Sequence, residues 1–477
     1  AGLRVGNGEI VGLDRQGLLY VPNDYVVPGG RFNEMYGWDS FFILQGLIES
    51  AKRGEAVRAD LAKGMTENFF YELDHYGAVL NANRTYYLTR SQPPFLTSMV
   101  LSVEGQLAEG ERRGWLERGY RAAGEDWAYW NRPEMRAGET GLARYYDYGS
   151  GPVPEMQDDA SYYQNVITKL AGMGSAGAGF LREARAGEKG FMVQEGGKAW
   201  ALTDDCYKGD RAMRSSGFDV SFRFGPYGGA THHFAAVGLN ALLYKEEMDL
   251  AMMAWRLGKT ADAVTWRQRA AARQAAINNY LWDEQRGMYV DYDFVAGKAS
   301  TYEFATMFWP LWAGAASDDQ ARRVAGHLPD LERAGGLATS PHKTGVQWDY
   351  PFGWAPLQML AVERLRRYGC TIDNRGASVG SADAGRIVII YAVPVERRRD
   401  DLQIVRLHRH QFRHACRIGA GQQGVGEGPV DQIVVYFRRV HVCGCGAGRP
   451  CGGVDVGDSD RARPGSAQRA DAQAMGQ

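Results

Sequence analysis

Five segments of the chain mix carboxylate or guanidinium groups with aromatic rings. They are 28–40 (PGGRFNEMYGWDS), 81–94 (NANRTYYLTRSQPP), 151–155 (GPVPE), 214–223 (RSSGFDVSFR) and 347–356 (QWDYPFGWAP). Such a mixture suits a sugar. Hydroxyl pairs take charged, forked partners, and the C–H face of the ring takes an aromatic plane. Cleaving a glycosidic bond then needs two carboxyl groups, one acid and one base or nucleophile. Asp39, Glu155, Asp219 and Asp349 each lie in one of the five segments. A lone Trp-Asp pair is more often a buried ring beside a capping carboxylate, but five such segments in one chain point to a shared ligand.

Other chemistries find little support. There is no G-x-x-x-x-G-K-[ST] and no H-E-x-x-H. His232 and His233 are neighbours, and adjacent residues on a helix do not face one site, so no role is assigned to them. The 477 residues carry 55 Lys+Arg against 56 Asp+Glu, which gives no basic field for nucleic acid. No run of eighteen apolar residues exists, so no membrane span is expected. The chain begins at Ala1 with no export signal in view; it reads as a mature product or fragment, with periplasmic and cytoplasmic placement both open. The expectation is a small-sugar ligand and no metal site. A monomer is expected, although the sequence itself does not carry oligomeric state.

The elements that must position these segments are helices. Leu239, Leu242, Leu243, Leu250, Met253 and Leu257 lie close to one helical face, Gly258 suits the end of that helix, and Thr260 suits the cap of the next, which runs to Leu281. Ser317-Asp318-Asp319-Gln320 has the form of a capping box. A helix starting after Pro356 could end at Gly369. Further helices fit about 40–52, 57–72, 94–108, 112–131, 160–184 and 301–315. Strands are scarce beyond Met288-Tyr289-Val290. Repeated helical hairpins pack as a solenoid or as a closed α/α barrel. No fixed-period repeat is present, which disfavours the solenoid. Residues 1–369 therefore read as one all-α domain whose long loops gather at one barrel mouth.

Composition changes near residue 370. All twelve Trp lie at or before Trp354, and the last Lys is Lys343. Residues 370–477 hold 15 Arg, five of the six Cys and four of the nine His, with Gly-rich patches. A GC-rich gene translated in a wrong frame gives this mixture. The tail is expected to be out of frame, to lack regular packing and to leave the barrel incomplete. His408, His410, His414, Cys416, His441, Cys443 and Cys445 match no standard zinc-finger spacing and read as compositional accident.

Two of the segments resemble signatures of the trehalases of glycoside hydrolase family 37. PGGRFNEMYGWDSFF at 28–42 resembles PGGRFxExYxWDxY, and QWDYPFGWAP at 347–356 resembles QWDxPxGWAP. Arg90-Ser91-Gln92-Pro93-Pro94 resembles a further family loop, and SGFDVS at 216–221 resembles SGWDFS. The resemblance implies an (α/α)6 barrel that hydrolyses α,α-trehalose to two glucose molecules with inversion and without a cofactor. It implies Asp219 as general acid, and Arg31, Tyr36, Trp38, Asp39, Asn81, Arg90, Gln92, Glu155 and Trp348 as sugar-binding residues. Two departures stand out. Val153 occupies the place of a family arginine, which opens the reading of a related α-glucoside hydrolase. The family's general base belongs to an EKYD-like motif, followed by a GFGWTN-like motif; neither occurs after residue 370, so no base is assigned. An inactive sugar-binding remnant is the remaining reading.

Overall fold

The computed structural model describes residues 17–365, except 31, 55–56, 157–159 and 334, together with the strands Cys370–Thr371, Ser378–Val379 and Val393–Pro394. All of these fall in a first compact unit that runs to Arg439. Arg31 and Gly369 lie outside the described residues, as does the tail apart from these three two-residue strands, which pair as Cys370–Thr371 with Ser378–Val379 and as Val393–Pro394 with Phe352–Gly353.

The helices form antiparallel pairs in two layers, and the burial pattern separates the layers. Helix α1 (Gly37–Lys52) pairs with α2 (Val57–Tyr76), and α3 (Leu96–Glu104) pairs with α4 (Glu109–Trp130). After α5 (Ala160–Gly172) and α6 (Asp204–Ser216), α7 (Val237–Arg256) pairs with α8 (Thr260–Tyr280). Short α9 (Trp309–Ala313), α10 (Asp318–Ala325) and α11 (Ala355–Leu365) follow. On α8 the buried positions are Ala263, Trp266, Ala270, Arg273 and Ile277, a single stripe spaced by three and four residues. That stripe marks a helix with one side in the core and the other in solvent. On α7, Leu239, Leu242, Leu243, Leu250 and Met253 are buried together with Asn240, Tyr244, Glu246 and Glu247, so this helix is enclosed nearly all round. Helices α1, α3, α7, α9 and α11 touch one another in sequence as an inner layer, with α2, α4 and α8 outside them. Close packing between layers is visible at Gly119 on α4, where a Cβ would collide with Val100 of α3.

Several expected boundaries shift for local reasons. The helix expected over 160–184 stops at Gly172. Gly174 takes a left-handed φ of 58°, and the chain turns into a three-stranded antiparallel sheet, β1 (Leu181–Glu183), β2 (Val193–Glu195) and β3 (Lys198–Leu202), in the order β1-β3-β2. The 301–315 helix is a 3-10 turn, Ala305–Phe308, leading into α9, whose first turn takes Pro310. Lys259, not Thr260, is the N-cap of α8. The capping box is present as expected: Gln320 N donates to Ser317 Oγ at 3.2 Å, and Ser317 N donates to Gln320 Oε1 at 2.9 Å. Helix α6 was not anticipated. Thr203 caps it by accepting from Cys206 N, and Gly217 ends it with φ 76°.

Carboxyl groups are also buried between the layers. Glu72 of α2, Asp126 of α4 and Glu246 of α7 are all enclosed. Burial raises the Glu72 carboxyl to about 8 and the Asp126 carboxyl to about 7. It also raises Glu246, with Asp126 adding like charge.

Candidate active site

Helix α6 and the loop after it carry the centre of the site. Arg214 lies in the last turn of α6, Gly217 ends the helix, and Asp219 follows two residues on. The Asp219 carboxylate stands 3.7 Å from Arg214 Nη1, with its side chain 37% exposed. Burial raises its pKa above the usual carboxylate range; Arg214 and Arg90 pull it down, and Glu155 adds to the rise.

Arg214 is itself held from three sides. Its Nε donates to Asp210 Oδ1 at 3.3 Å, one helical turn earlier. Asp210 Oδ2 in turn accepts from the Tyr163 hydroxyl at 2.7 Å. The guanidinium lies 5.3 Å from the Tyr162 ring centroid and 4.0 Å from Glu155 Oε1. Glu155 also pairs with Arg90, which is fully enclosed and lies 3.6 Å from Asp147 Oδ2. Burial alone would raise Glu155, but the cations of Arg90 and Arg214 outweigh it and hold the carboxylate ionised. Two Arg90 nitrogens, Nε and Nη1, and Glu155 Oε2 are buried without a hydrogen-bond partner among the described residues. Buried donors and acceptors of this kind are costly to leave unmatched and suit a ligand rich in hydroxyls.

The other segments close on the same place. Trp38 at the start of α1 packs edge to face on Phe218 with ring centroids 5.4 Å apart, and it lies 6.0 Å from Trp348. Trp348 stacks on Trp354 at 4.2 Å. Trp348 N donates to Val220 O at 3.1 Å, and Gln347 Nε2 donates to the carbonyl of Asp219. Asn81 Nδ2 donates to Arg214 O at 3.2 Å. Asp39, in the first turn of α1, has its pKa raised to about 7 by burial, and the Asp219 carboxylate pushes it further up.

Not every expected sugar ligand is free to act as one. Gln92 Oε1 accepts from Trp38 N at 3.1 Å, so its acceptor holds the start of α1. The Tyr36 hydroxyl donates to Glu34 Oε2 at 3.3 Å and lies 3.4 Å from the Tyr87 hydroxyl. Asp349 is fully buried. It accepts from Ser221 Oγ at 3.0 Å, Phe222 N at 2.9 Å and Thr344 Oγ1 at 2.6 Å, so it braces the Asp219 loop instead of facing a ligand. Val153 is enclosed in an apolar cluster with Tyr163, Val166, Ile167 and Leu170 and offers no polar group to the site.

The sequence reading missed Arg214 as a site residue, along with Asp210 and Tyr163 behind it and Asp147 beside Arg90. Asp210 and Arg214 stand four apart, which puts them on one helical face once α6 is recognised.

A family model described as Trehalase matches residues 11–380. The chain belongs to the trehalase family. It is 38% identical over 376 residues to the cytosolic neutral trehalase of Saccharomyces cerevisiae, a match covering 74% of this chain and 48% of the relative. It is 38% identical over 369 residues to the cytosolic neutral trehalase of Kluyveromyces lactis, covering 72% and 46%. The chain thus spans about half the length of the curated relatives it matches. The solved structure of neutral trehalase from Saccharomyces cerevisiae aligns with a TM-score of 0.64 at 34% identity, covering 77% of this chain and 71% of that one. The two-layered frame is that of an all-α (α/α)6 barrel, the trehalase fold.

Proposed function

We propose that this chain is an inverting glycoside hydrolase that cleaves α,α-trehalose to two glucose molecules, acting as a monomer, with Asp219 as general acid. The observation that carries the reading is the setting of Asp219. Its carboxyl is raised by burial, so it holds a proton closer to neutral pH, and it stands beside the Arg90–Glu155–Arg214 cluster and the Trp38–Phe218–Trp348 rings. Arg90, Glu155, Asp39 and Asn81 bind the hydroxyls of one glucose in this reading, and Trp38 and Trp348 shape the apolar wall. Gln92 and Tyr36 act through the backbone and side chains they hold. Release of glucose from trehalose, followed by proton NMR of the first-formed anomers, tests it: equal α- and β-glucose is expected, and α-glucose alone from both halves would reject inversion.

Inversion needs a second carboxylate across the sugar, with room for a water. Among the described residues Glu155 is held by two arginines and Asp349 is saturated, which leaves Asp39 as the carboxyl facing Asp219. The resemblance assigns Asp39 to binding. We therefore read residues 1–369 as the catalytic barrel and 370–477 as an out-of-frame tail in place of the segment that carries the base. The family match, which ends at residue 380, supports this division. Turnover is then slow, by about 10²–10⁴ relative to a chain with its base. Replacing 370–477 with a family-like C-terminus should restore it, and sequencing the gene around codon 370 should show a single-base shift. The buried Val153 favours one further reading, a related α-glucoside as the preferred substrate; a panel of glucosyl disaccharides separates the two.

A further inference from the structure

The sequence reading set aside His232 and His233 because neighbours on an α-helix point apart. In the structure they end a single 3-10 turn, Thr231–His233, and the backbone leaves that turn extended at Phe234. Their ring centroids are 4.1 Å apart. Both Nε2 atoms converge on one oxygen, Oδ1 of Asp205, at 3.0 Å from His232 and 3.4 Å from His233. Asp205 lies in the first turn of α6, and the three ligand atoms all fall within 4.8 Å of one another. No other such trio occurs among the described residues.

We propose that Asp205, His232 and His233 bind one divalent ion of the zinc type at a site separate from the sugar site. Two imidazoles and a carboxylate are a zinc donor set, and bonds of about 2.0–2.2 Å in a tetrahedron place neighbouring ligand atoms about 3.4 Å apart. The His233–Asp205 separation of 3.4 Å has that spacing, and the His232–Asp205 hydrogen bond at 3.0 Å would open slightly to seat an ion. Binding an ion at Nε2 puts the His232 proton on the buried Nδ1, which has no acceptor among the described residues, a cost that the ion's bonds to the three ligands must offset. The turn is fixed from behind, where Arg144 Nη1 donates to His232 O at 2.9 Å. Asp205 is 59% exposed, which gives the ion a route from solvent and leaves room for water as fourth ligand.

The ion would hold structure and take no part in the reaction. Asp205 and Arg214 stand nine residues apart on α6, about 13 Å along the helix axis. Bridging Asp205 to the turn pins the start of the helix whose other end presents Arg214 and Asp219. Close contact already exists along this seam, since a Cβ on Gly209 would collide with the carbonyl of Gly229.

The full chain, stripped with a chelator and dialysed against zinc, tests the site by metal content, by cobalt titration followed in the visible spectrum, and by melting temperature. His233→Ala and Asp205→Asn serve as variants, since both side chains reach solvent. Wild type should retain one more zinc per chain than either variant, bind cobalt at least about tenfold more tightly, and gain a higher melting temperature with zinc that the variants do not show. Histidines and cysteines beyond residue 370 contribute equally to all three chains, so the difference isolates this site. Equal zinc content in wild type and both variants overturns the proposal.

Discussion

Asp349→Ala probes whether the site is held by a buried brace. Asp349 receives hydrogen bonds from Ser221, Phe222 and Thr344, with Ser340 Oγ at 3.4 Å as a longer fourth. In the alanine variant the hydroxyls can rotate towards other acceptors, but the Phe222 N–H cannot. A hydrogen bond to a charged group contributes about 1.5–3 kcal/mol, and an orphaned buried donor costs about 1–3 kcal/mol. Removing the charge also returns its desolvation cost, which offsets part of the loss. The net destabilisation should be about 3–5 kcal/mol, read by urea denaturation. Asp349→Asn, which keeps the volume and one acceptor for Phe222 N, should lose less than half of that. Activity should fall further than stability alone explains, because Gln347 and Trp348 from the same loop hold the backbone at Asp219 and Val220, and a shift of about 1 Å costs on the order of 10²-fold in rate. An alanine variant within about 1 kcal/mol of wild type, with unchanged turnover, would refute the brace.

Three further outcomes follow from the same geometry. Asp219→Asn should abolish residual trehalose hydrolysis, a loss of at least about 10²-fold in kcat with KM little changed, measured by coupled glucose assay. Arg214→Ala removes the nearest cation from Asp219, so the falling limb of the pH–rate profile should move to higher pH; a limb that moves down or stays put contradicts the assigned electrostatics. Stability should fall as pH rises from about 4 to about 8. Glu72 and Asp126 are raised to about 8 and about 7 in the folded state, so the folded chain keeps protons that the unfolded chain has already released. Each such group contributes a slope of about 1.4 kcal/mol per pH unit, visible in denaturation midpoints, and Glu72→Gln should flatten it.

What the sequence made legible was local. The hairpin helices carry their period in Leu239 to Leu257, and the Ser317 capping box closes within four residues, so each could be read without the fold. The five polar-aromatic segments were legible for a related reason: rings and charges crowd together beside Gly and Pro within a few residues of each other, a mixture that shows without the fold. The ranking of residues inside them was not legible. Asp219 and Asp349 look alike in the sequence, and only the structure separates a carboxyl facing the Arg90–Glu155–Arg214 cluster from one saturated by Ser221, Phe222 and Thr344. Arg214, Asp210 and Tyr163 were hidden because their relation depends on α6, a helix rich in charged and small residues with few large apolar ones to mark it. The same polarity fits the work of that helix. Its face turns Arg211 towards Asp147 and Arg214 towards Asp210, Glu155 and Asp219, so one residue that weakens its helical signal, Arg214, is also the cation that lowers the pKa of the proposed acid. A helix with so little apolar surface gains little from apolar burial and is held by polar contacts along its length: Thr203 at its cap, Asp205 on the histidine turn, Tyr163 on Asp210, Asp147 on Arg211 and Ser91 O on Ser215. The prediction that zinc raises the melting temperature thus concerns the same element that the hydrophobic pattern left unread.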